Sequence, residues 1–329
     1  MSAHGVGQLQ RDVSAEGLLA PERSVVVLYS GGRDSTCLLD LATRIAGASS
    51  VSALHVNYGL RDAADADERH CRGLCERLGV ELSVHRPRRP RPTGGPASTP
   101  AGNLQAWARK ERYLAATGLA GKRHAEIAAG HTATDQVETI LYRLASSPSR
   151  RALLGMRSRE GLVVRPLLAF TREQTAAYCS ARGLAWREDA SNESDVFARG
   201  RIRRRLVPEL ERAHPAAQAN VLALAEILRA EAEVLDELVD QVLRDRSEIP
   251  LARLRALPPA LRRLVVQRLA DEAAGAPAAG AARRADEIAG LADHGTKALD
   301  LPHGVRATAE QGMVRFGRTP LSGHRNHIN

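Results

Sequence analysis

The sequence predicts an α/β protein: a parallel sheet with helices on both faces, followed by a small, mostly helical C-terminal domain. Three observations predict it. Short apolar runs alternate with stretches of helical period through the first 182 residues. A glycine turn, Ser30-Gly31-Gly32, closes the first apolar run and opens a helix. After about residue 215 the runs give way to one long amphipathic stretch.

Strands are expected at Ser24–Tyr29, Val51–Val56, Glu81–His85, Ala125–Gly130 and Leu162–Arg165. Helices are expected at Ser35–Ala46, Ala64–Leu78, Asn103–Leu119, Thr134–Ala145 and Arg172–Arg182. In such sheets ligands bind beyond the carboxyl ends of the strands. The segment RPRRPRPTGGPASTP (86–100) breaks the alternation, because Pro and Gly forbid regular structure. Its arginines 86, 88, 89 and 91 suit either an RNA backbone or a solvated insertion. Further on, Leu224, Ile227, Leu228, Leu235, Leu238 and Val242 fall at helical spacing. Two more helices, 257–273 and 281–292, flank the loop GAPAAG. The end alternates like a hairpin around His303-Gly304. The expected organisation is a flexible N-terminus (1–20), a catalytic domain (21–215), a small helical domain (216–320) and a flexible tail (321–329).

Hydrophobic residues make up 43% of the chain and aromatics only 3%, so aliphatic residues and Ala must fill the core. The net charge is +9, and residues 216–329 carry 15 basic and 15 acidic groups, so the whole excess lies upstream. Such an excess fits a polyanionic partner or a merely basic surface. Cys37, Cys71, Cys75 and Cys179 form no CxxC pair, which argues against structural zinc and for free thiols in a reducing cytoplasm. No stretch approaches the ~20 apolar residues of a membrane span, so a cytoplasmic protein with no membrane partner is expected.

Four blocks carry chemistry. In Ser30-Gly31-Gly32-Arg33-Asp34-Ser35 the glycines let an anion approach the backbone at a helix start, and Ser30 and Ser35 add hydroxyls. No Lys follows for a γ-phosphate. Asp34 belongs in a phosphate site only if Mg²⁺ bridges it. The block therefore suits pyrophosphate as a leaving group, with attack at an α-phosphate. HVNYGLR places His55 and Asn57 at the end of the second strand, with Gly59 in the turn. In GHTATDQVETILYRL, which opens at Gly130, His131, Asp135, Glu138, Thr139 and Tyr142 share one helix face. Val137, Ile140, Leu141 and Leu144 take the other. Two carboxylates one turn apart suit Mg²⁺ or removal of a proton from an amine. Finally, WREDASNESDVFARGRIRRRLVPEL sets Glu188, Asp189 and Asn192 before Arg199, Arg201, Arg203, Arg204 and Arg205. The arginines suit phosphates of ATP or of RNA.

SGGxDS is the signature of the PP-loop, or N-type ATP pyrophosphatase, superfamily, whose fold resembles that of the adenine nucleotide alpha hydrolases. Taken with HVNYGLR, HTATDQVET, LLGM–RPLL and WREDASN–FARGRIRRRLVP, the chain resembles the tRNA(Ile)-lysidine synthetases over about residues 24–210. The later helices resemble that family's small tRNA-contacting domain. The resemblance implies ATP and Mg²⁺ as cofactors, with free lysine and a tRNA(Ile) bearing a CAU anticodon as partners. Lysine is joined to C2 of the wobble cytidine through an adenylated intermediate. Base 2-thiolation is the rival within the superfamily. The implied catalytic residues are Asp34, Asp135, Glu138 and Arg203. ATP contacts are implied for Ser30 to Ser35, His55, Asn57, Gly130 and His131. Nucleotide or tRNA contacts are implied for Arg109, Arg112, Asn192, Arg199, Arg201 and Arg205, and Mg²⁺ for Asp34, Asp135 and Glu138. A homodimer is compatible with the sequence. The chain departs from the family pattern at Tyr58, Gln105, Thr134 and Gly200, and at SSPSRRALLGM.

Overall fold

The structure is a computed structural model. It describes residues 3–59, 64–88, 100–147, 149–187, 198–244, 246–292 and 294–320. The chain divides into two compact units, 1–228 and 229–329, and the division falls inside one long helix.

The first unit holds a six-stranded sheet ordered β3-β2-β1-β4-β6-β5. The strands are β1 (Val25–Leu28), β2 (Val51–Val56), β3 (Glu81–His85), β4 (Glu126–Ala128), β5 (Arg159–Glu160) and β6 (Val163–Val164). All pair in parallel except the β5–β6 hairpin. β1 alternates between two cores. Val25 and Val27 face one that includes Leu9, Val13, Leu38, Leu41, Leu74 and Tyr178. Val26 faces the other, with Leu54, Ala116, Ala120 and Ile127. Both faces of the strand are therefore covered, which is why it reads as an unbroken apolar run.

The first core is lined by α1 (Ala3–Ala15), α2 (Arg33–Ala46), α3 (Ala64–Leu78) and, further along the chain, α7 (Arg172–Ala181). The second is closed by α4 (Pro100–Arg123). The expectation of a flexible 1–20 is corrected here. Residues 3–15 form a helix whose Leu9 and Val13 are 4% and 0% exposed. Its apolar residues, spaced four apart, find a place only once α2 and α7 are packed. The chain runs from β1 out through β2 to β3 on one side, then returns through α4 to β4 on the other side of β1. This order makes the crevice between the carboxyl ends of β1 and β4 the topological switch point.

Beyond β4 come α5 (Ala133–Ser146), α6 (Arg150–Leu153), α8 (Ala198–Arg201), a π-helical turn (Ile202–Leu206), α9 (Val207–Ala213) and α10 (Ala217–Leu243). Residues 188–197 lie outside the described residues, and with them Glu188, Asp189, Asn192 and Phe197. So do residues 60–63, 89–99 and 321–329, which include Arg61 and most of the Arg/Pro segment.

The second unit contains more strand than its pattern predicts. Helices α11 (Leu251–Ala256), α12 (Pro259–Ala274) and α13 (Ala285–Ala289) accompany an antiparallel sheet ordered β7-β10-β9-β8. Its strands are β7 (Glu248–Pro250), β8 (Lys297–Leu301), β9 (Val305–Glu310) and β10 (Met313–Arg318). His303-Gly304 does turn β8 into β9, with Leu301 opposite Val305. A second turn at Gln311-Gly312, both with positive φ, adds β10. Ala307 and Ala309 are buried on β9. Alanine is depleted in strands generally, so these positions read as helix formers.

Candidate active site

The turn after β1 is held by its own hydroxyls. Ser35 Oγ donates to the Gly32 carbonyl at 2.8 Å and lies 3.1 Å from Ser30 Oγ, while Gly32 N–H donates to Ser30 Oγ at 3.3 Å. Gly31 has φ +82°, and a Cβ there would sit 3.0 Å from Cys71 Sγ. Glycine is needed both for the left-handed backbone and for the space. A Cβ at Gly130 would lie 3.2 Å from the backbone of Asp34 and Ser35. The end of β4 thus lies directly against the first turn of α2, and the two phosphate-side blocks meet.

Asp34 is the hub. Thr175 Oγ1 donates to its Oδ1 at 2.5 Å, Arg33 Nε lies 3.2 Å from the same oxygen, and Arg172 Nε lies 3.4 Å from Oδ2. Arg172 also reaches Asp135, donating from Nη2 to Oδ1 at 3.4 Å. Asp135 is fixed by a capping box in which its Oδ2 accepts from Thr132 N–H and Oγ1, both at 3.0 Å. Burial pushes the Asp135 carboxyl up, but Arg172, Arg199 and the Thr132 N–H outweigh it, and its pKa lies below the usual range. Glu138 is 0% exposed. Arg203 grips it from Nε at 2.5 Å and Nη2 at 3.0 Å, and Arg199 Nε lies 3.3 Å away. The π-helical turn over 202–206 follows Arg199 and includes Arg203, and both face α5 there.

The structure therefore brings together Ser30 through Ser35, Gly130, His131, Asp135, Glu138, Arg199 and Arg203. The polar face of α5 is interior at Asp135 and Glu138 and reaches the surface at Tyr142. On its other face Val137 and Ile140 are buried, but Leu144 is 55% exposed. His131 is driven down to about 4 by burial, with Arg165, Arg199 and Arg112 opposing its charge and Asp135 favouring it. Its Nδ1 is buried without a hydrogen-bond partner among the described residues.

Other expected residues are placed differently. His55 is buried beneath the turn, with Nδ1 3.0 Å from the Tyr29 carbonyl and 3.4 Å from Cys71 Sγ. Burial lowers its pKa. Asn57 donates to Asp65 and Glu68 at 2.9 and 3.0 Å and accepts from Gly59 N–H, so it shapes the β2–α3 turn. Arg109 and Arg112 flank the Tyr113 ring at 4.8 and 5.6 Å. Arg201 and Arg205 line an apolar groove of about 540 Å³ with Tyr142, Ile202 and Leu206. No cluster of three or more metal-ligating groups occurs among the described residues. Asp34 and Asp135, sharing one guanidinium, are nevertheless arranged around a cation. Glu138 has both oxygens engaged by arginines and fits a metal poorly.

Two contributors were missed in the sequence, Arg172 and Thr175. The signal was present: Thr171-Arg-Glu-Gln174 is a capping box that marks a helix start, and here it aims α7 at Asp34. Arg33 also gains a role, as a partner of Asp34.

The fold and this turn define a class, the PP-loop ATP-using domains, and the family model described as "PP-loop domain" matches residues 4–210. The chain belongs to the tRNA(Ile)-lysidine synthase family. It is 35% identical to the tRNA(Ile)-lysidine synthase of Symbiobacterium thermophilum, over 93% of this chain and 68% of that protein. It is 38% identical to that of Thermus thermophilus, over 77% of this chain and 50% of that protein, and 35% identical to that of Pseudomonas fluorescens, over 74% and 54%. The chain thus spans between half and about two thirds of these relatives' length. A U34-tRNA thiolase from Methanococcus maripaludis shares the fold (TM-score 0.55, 15% identity, 68% of this chain and 80% of that one). At that identity the likeness concerns architecture alone.

Proposed function

We propose that the chain ligates lysine to C2 of the wobble cytidine of a tRNA(Ile) with a CAU anticodon, consuming ATP. Cytidine O2 attacks the α-phosphate and pyrophosphate leaves. The lysine amine then attacks C2, AMP leaves, and the amine proton passes to solvent or a site base. The observation that carries this reading is the joint placement of the SGGRDS turn, Asp135 and the Arg203–Glu138 pair at the switch point.

Each group has a part. The backbone N–H groups at the start of α2, with Ser30 and Ser35, receive the pyrophosphate. Asp34 and Asp135 would hold Mg²⁺, which when bound neutralises phosphate charge. Asp135 stays ionised because of its depressed pKa, so it suits a cation and is a poor proton acceptor. Glu138 acts through Arg203 and Arg199, fixing their guanidinium groups where charge develops on phosphorus. His131 is neutral at working pH and offers its free Nδ1. Arg109, Arg112, Arg201 and Arg205 serve RNA phosphates, and so does Asn192 on the strength of the family motif. His55 supports the turn after β1 from below, and Asn57 shapes the β2–α3 turn beside it. The unit over residues 1–228 is the catalytic one, and the unit over 229–329 contacts tRNA.

The test is to mix the protein with ATP, Mg²⁺, labelled lysine and a CAU-bearing tRNA(Ile) transcript. Lysine is expected to enter the tRNA, and only when the wobble base is C. Pyrophosphate release without lysine transfer would sink the reading in favour of another PP-loop modification.

A further inference from the structure

Arg172 is the side chain that neither the sequence motifs nor the proposed reaction accounts for. Its guanidinium spans Asp34 and Asp135, the two carboxylates on the facing elements α2 and α5. Arg203 Nη2 also lies 3.6 Å from Asp135 Oδ1 and feels the charge of Asp34, but among the described residues Arg172 alone forms a recorded ion pair with both carboxylates. The contacts are loose. Nε to Asp34 Oδ2 and Nη2 to Asp135 Oδ1 are both 3.4 Å, against about 2.7–2.9 Å for a tight charge-assisted bond. Nε is buried yet makes no well-aligned hydrogen bond among the described residues. Arg203 on Glu138, at 2.5 and 3.0 Å, shows what a committed ion pair looks like in the same site.

The backbone under Arg172 is, by contrast, firmly fixed. Its N–H donates to Thr134 Oγ1 at 3.3 Å. Thr175, one turn on, holds Asp34. Tyr178 donates to the buried Asp40 of α2 at 2.5 Å, and Arg182 Nε lies 3.3 Å from that same carboxylate. The helix is anchored, while the side chain is held weakly and is 21% exposed.

We propose that Arg172 is an exchangeable counter-ion and a positioning residue. Without metal it occupies the cation position between Asp34 and Asp135 and keeps the two carboxylates from repelling each other. A divalent cation entering with the nucleotide displaces it, and the released guanidinium turns to a phosphate oxygen of the leaving pyrophosphate. Metal and guanidinium compete for one place, since two positive charges within about 4 Å repel strongly at low effective dielectric. This inference rests on the reading of Asp34 and Asp135 as the magnesium pair.

The test uses the full chain and Mn²⁺, with the free ion followed by electron paramagnetic resonance in the absence of ATP. Arg172→Gln removes the competing charge, so Mn²⁺ should bind about tenfold more tightly than to the unaltered protein. ATP, in the presence of Mg²⁺, should bind about tenfold more weakly, because the phosphate contact is lost. Thr175→Val loosens Asp34 without removing charge and should leave Mn²⁺ affinity within about twofold. A merely structural role for Arg172 would make these two variants behave alike. If Arg172→Gln does not fold, Arg172→Lys serves. Its ammonium reaches one carboxylate instead of two, and Mn²⁺ should bind about threefold more tightly. Unchanged or weakened Mn²⁺ binding in the folded Arg172 variant overturns the exchange. Asp135→Asn separates the two levels. If it abolishes Mn²⁺ binding while the Arg172 variant matches the unaltered protein, only the exchange falls. If it leaves Mn²⁺ binding intact, the magnesium reading of the site falls with it.

Discussion

Glu138 lies wholly inside the protein, and its carboxylate is tolerable there only because Arg203 and Arg199 meet it. Arg203→Ala should therefore destabilise the fold by about 3 kcal/mol in urea titrations, since it leaves a buried charge half paired. The double variant Arg203→Met, Glu138→Leu should regain most of that stability and no lysine transfer. Recovery of transfer would show that the pair is scaffold and nothing more. His131 sets a pH dependence whose sign is fixed. Its folded pKa is about 4, below the ordinary ~6.5 of an unfolded histidine. Stability is then complete above about pH 6.5 and falls as the pH drops, because only the unfolded chain takes up the proton. At pH 5 the loss should be on the order of 1–2 kcal/mol. Urea midpoints at pH 7.5 and 5 should differ less in His131→Gln, and an identical difference in both proteins would contradict the assignment.

At the scale of elements, the site is made by helix starts and by what pins them. The capping boxes Thr132–Asp135 and Thr171–Gln174 set α5 and α7, and Asp40 ties α7 to α2 through Tyr178 and Arg182. The LLGM segment is pinned in turn by Gln136, which donates to the Met156 carbonyl at 2.9 Å and accepts from Met156 N–H at 2.7 Å. Gly155 stands at φ +63°, and a Cβ there would come within 2.6–2.9 Å of the Gln136 amide. Gly155→Ala should cost about 1–3 kcal/mol through backbone strain and the broken amide pair. Thermal unfolding would show it, with no shift if the segment is free to adjust. These pins explain what was legible. A parallel strand buried on both faces announces itself, as β2 does, and the half-exposed edge strand β3 also occupies the expected residues. Capping pairs are equally local. The counterpart of a buried carboxylate is not: Arg172 and Thr175 stand 138 and 141 positions after Asp34, respectively, and no periodicity links them.

For the molecule as a whole, charge is the guide. All of the +9 excess lies within residues 1–215, so tRNA affinity should rest largely on phosphate contacts from that part. Raising salt from about 50 to 200 mM should weaken binding roughly a thousandfold if about six phosphates are contacted. A dissociation constant indifferent to salt would remove the electrostatic basis of that expectation. The sequence by itself determined the class of fold, the SGGRDS turn and the family, because glycine turns, buried strands and motif blocks are local in the chain. Only the tertiary structure decided that residues 3–15 belong to the core, that Arg201 and Arg205 line a groove beside Tyr142, and that Arg172 stands between Asp34 and Asp135. Those outcomes depend on packing and on electrostatic pairing between elements far apart in sequence, and each charge finds its partner only after the sheet has brought the helices together.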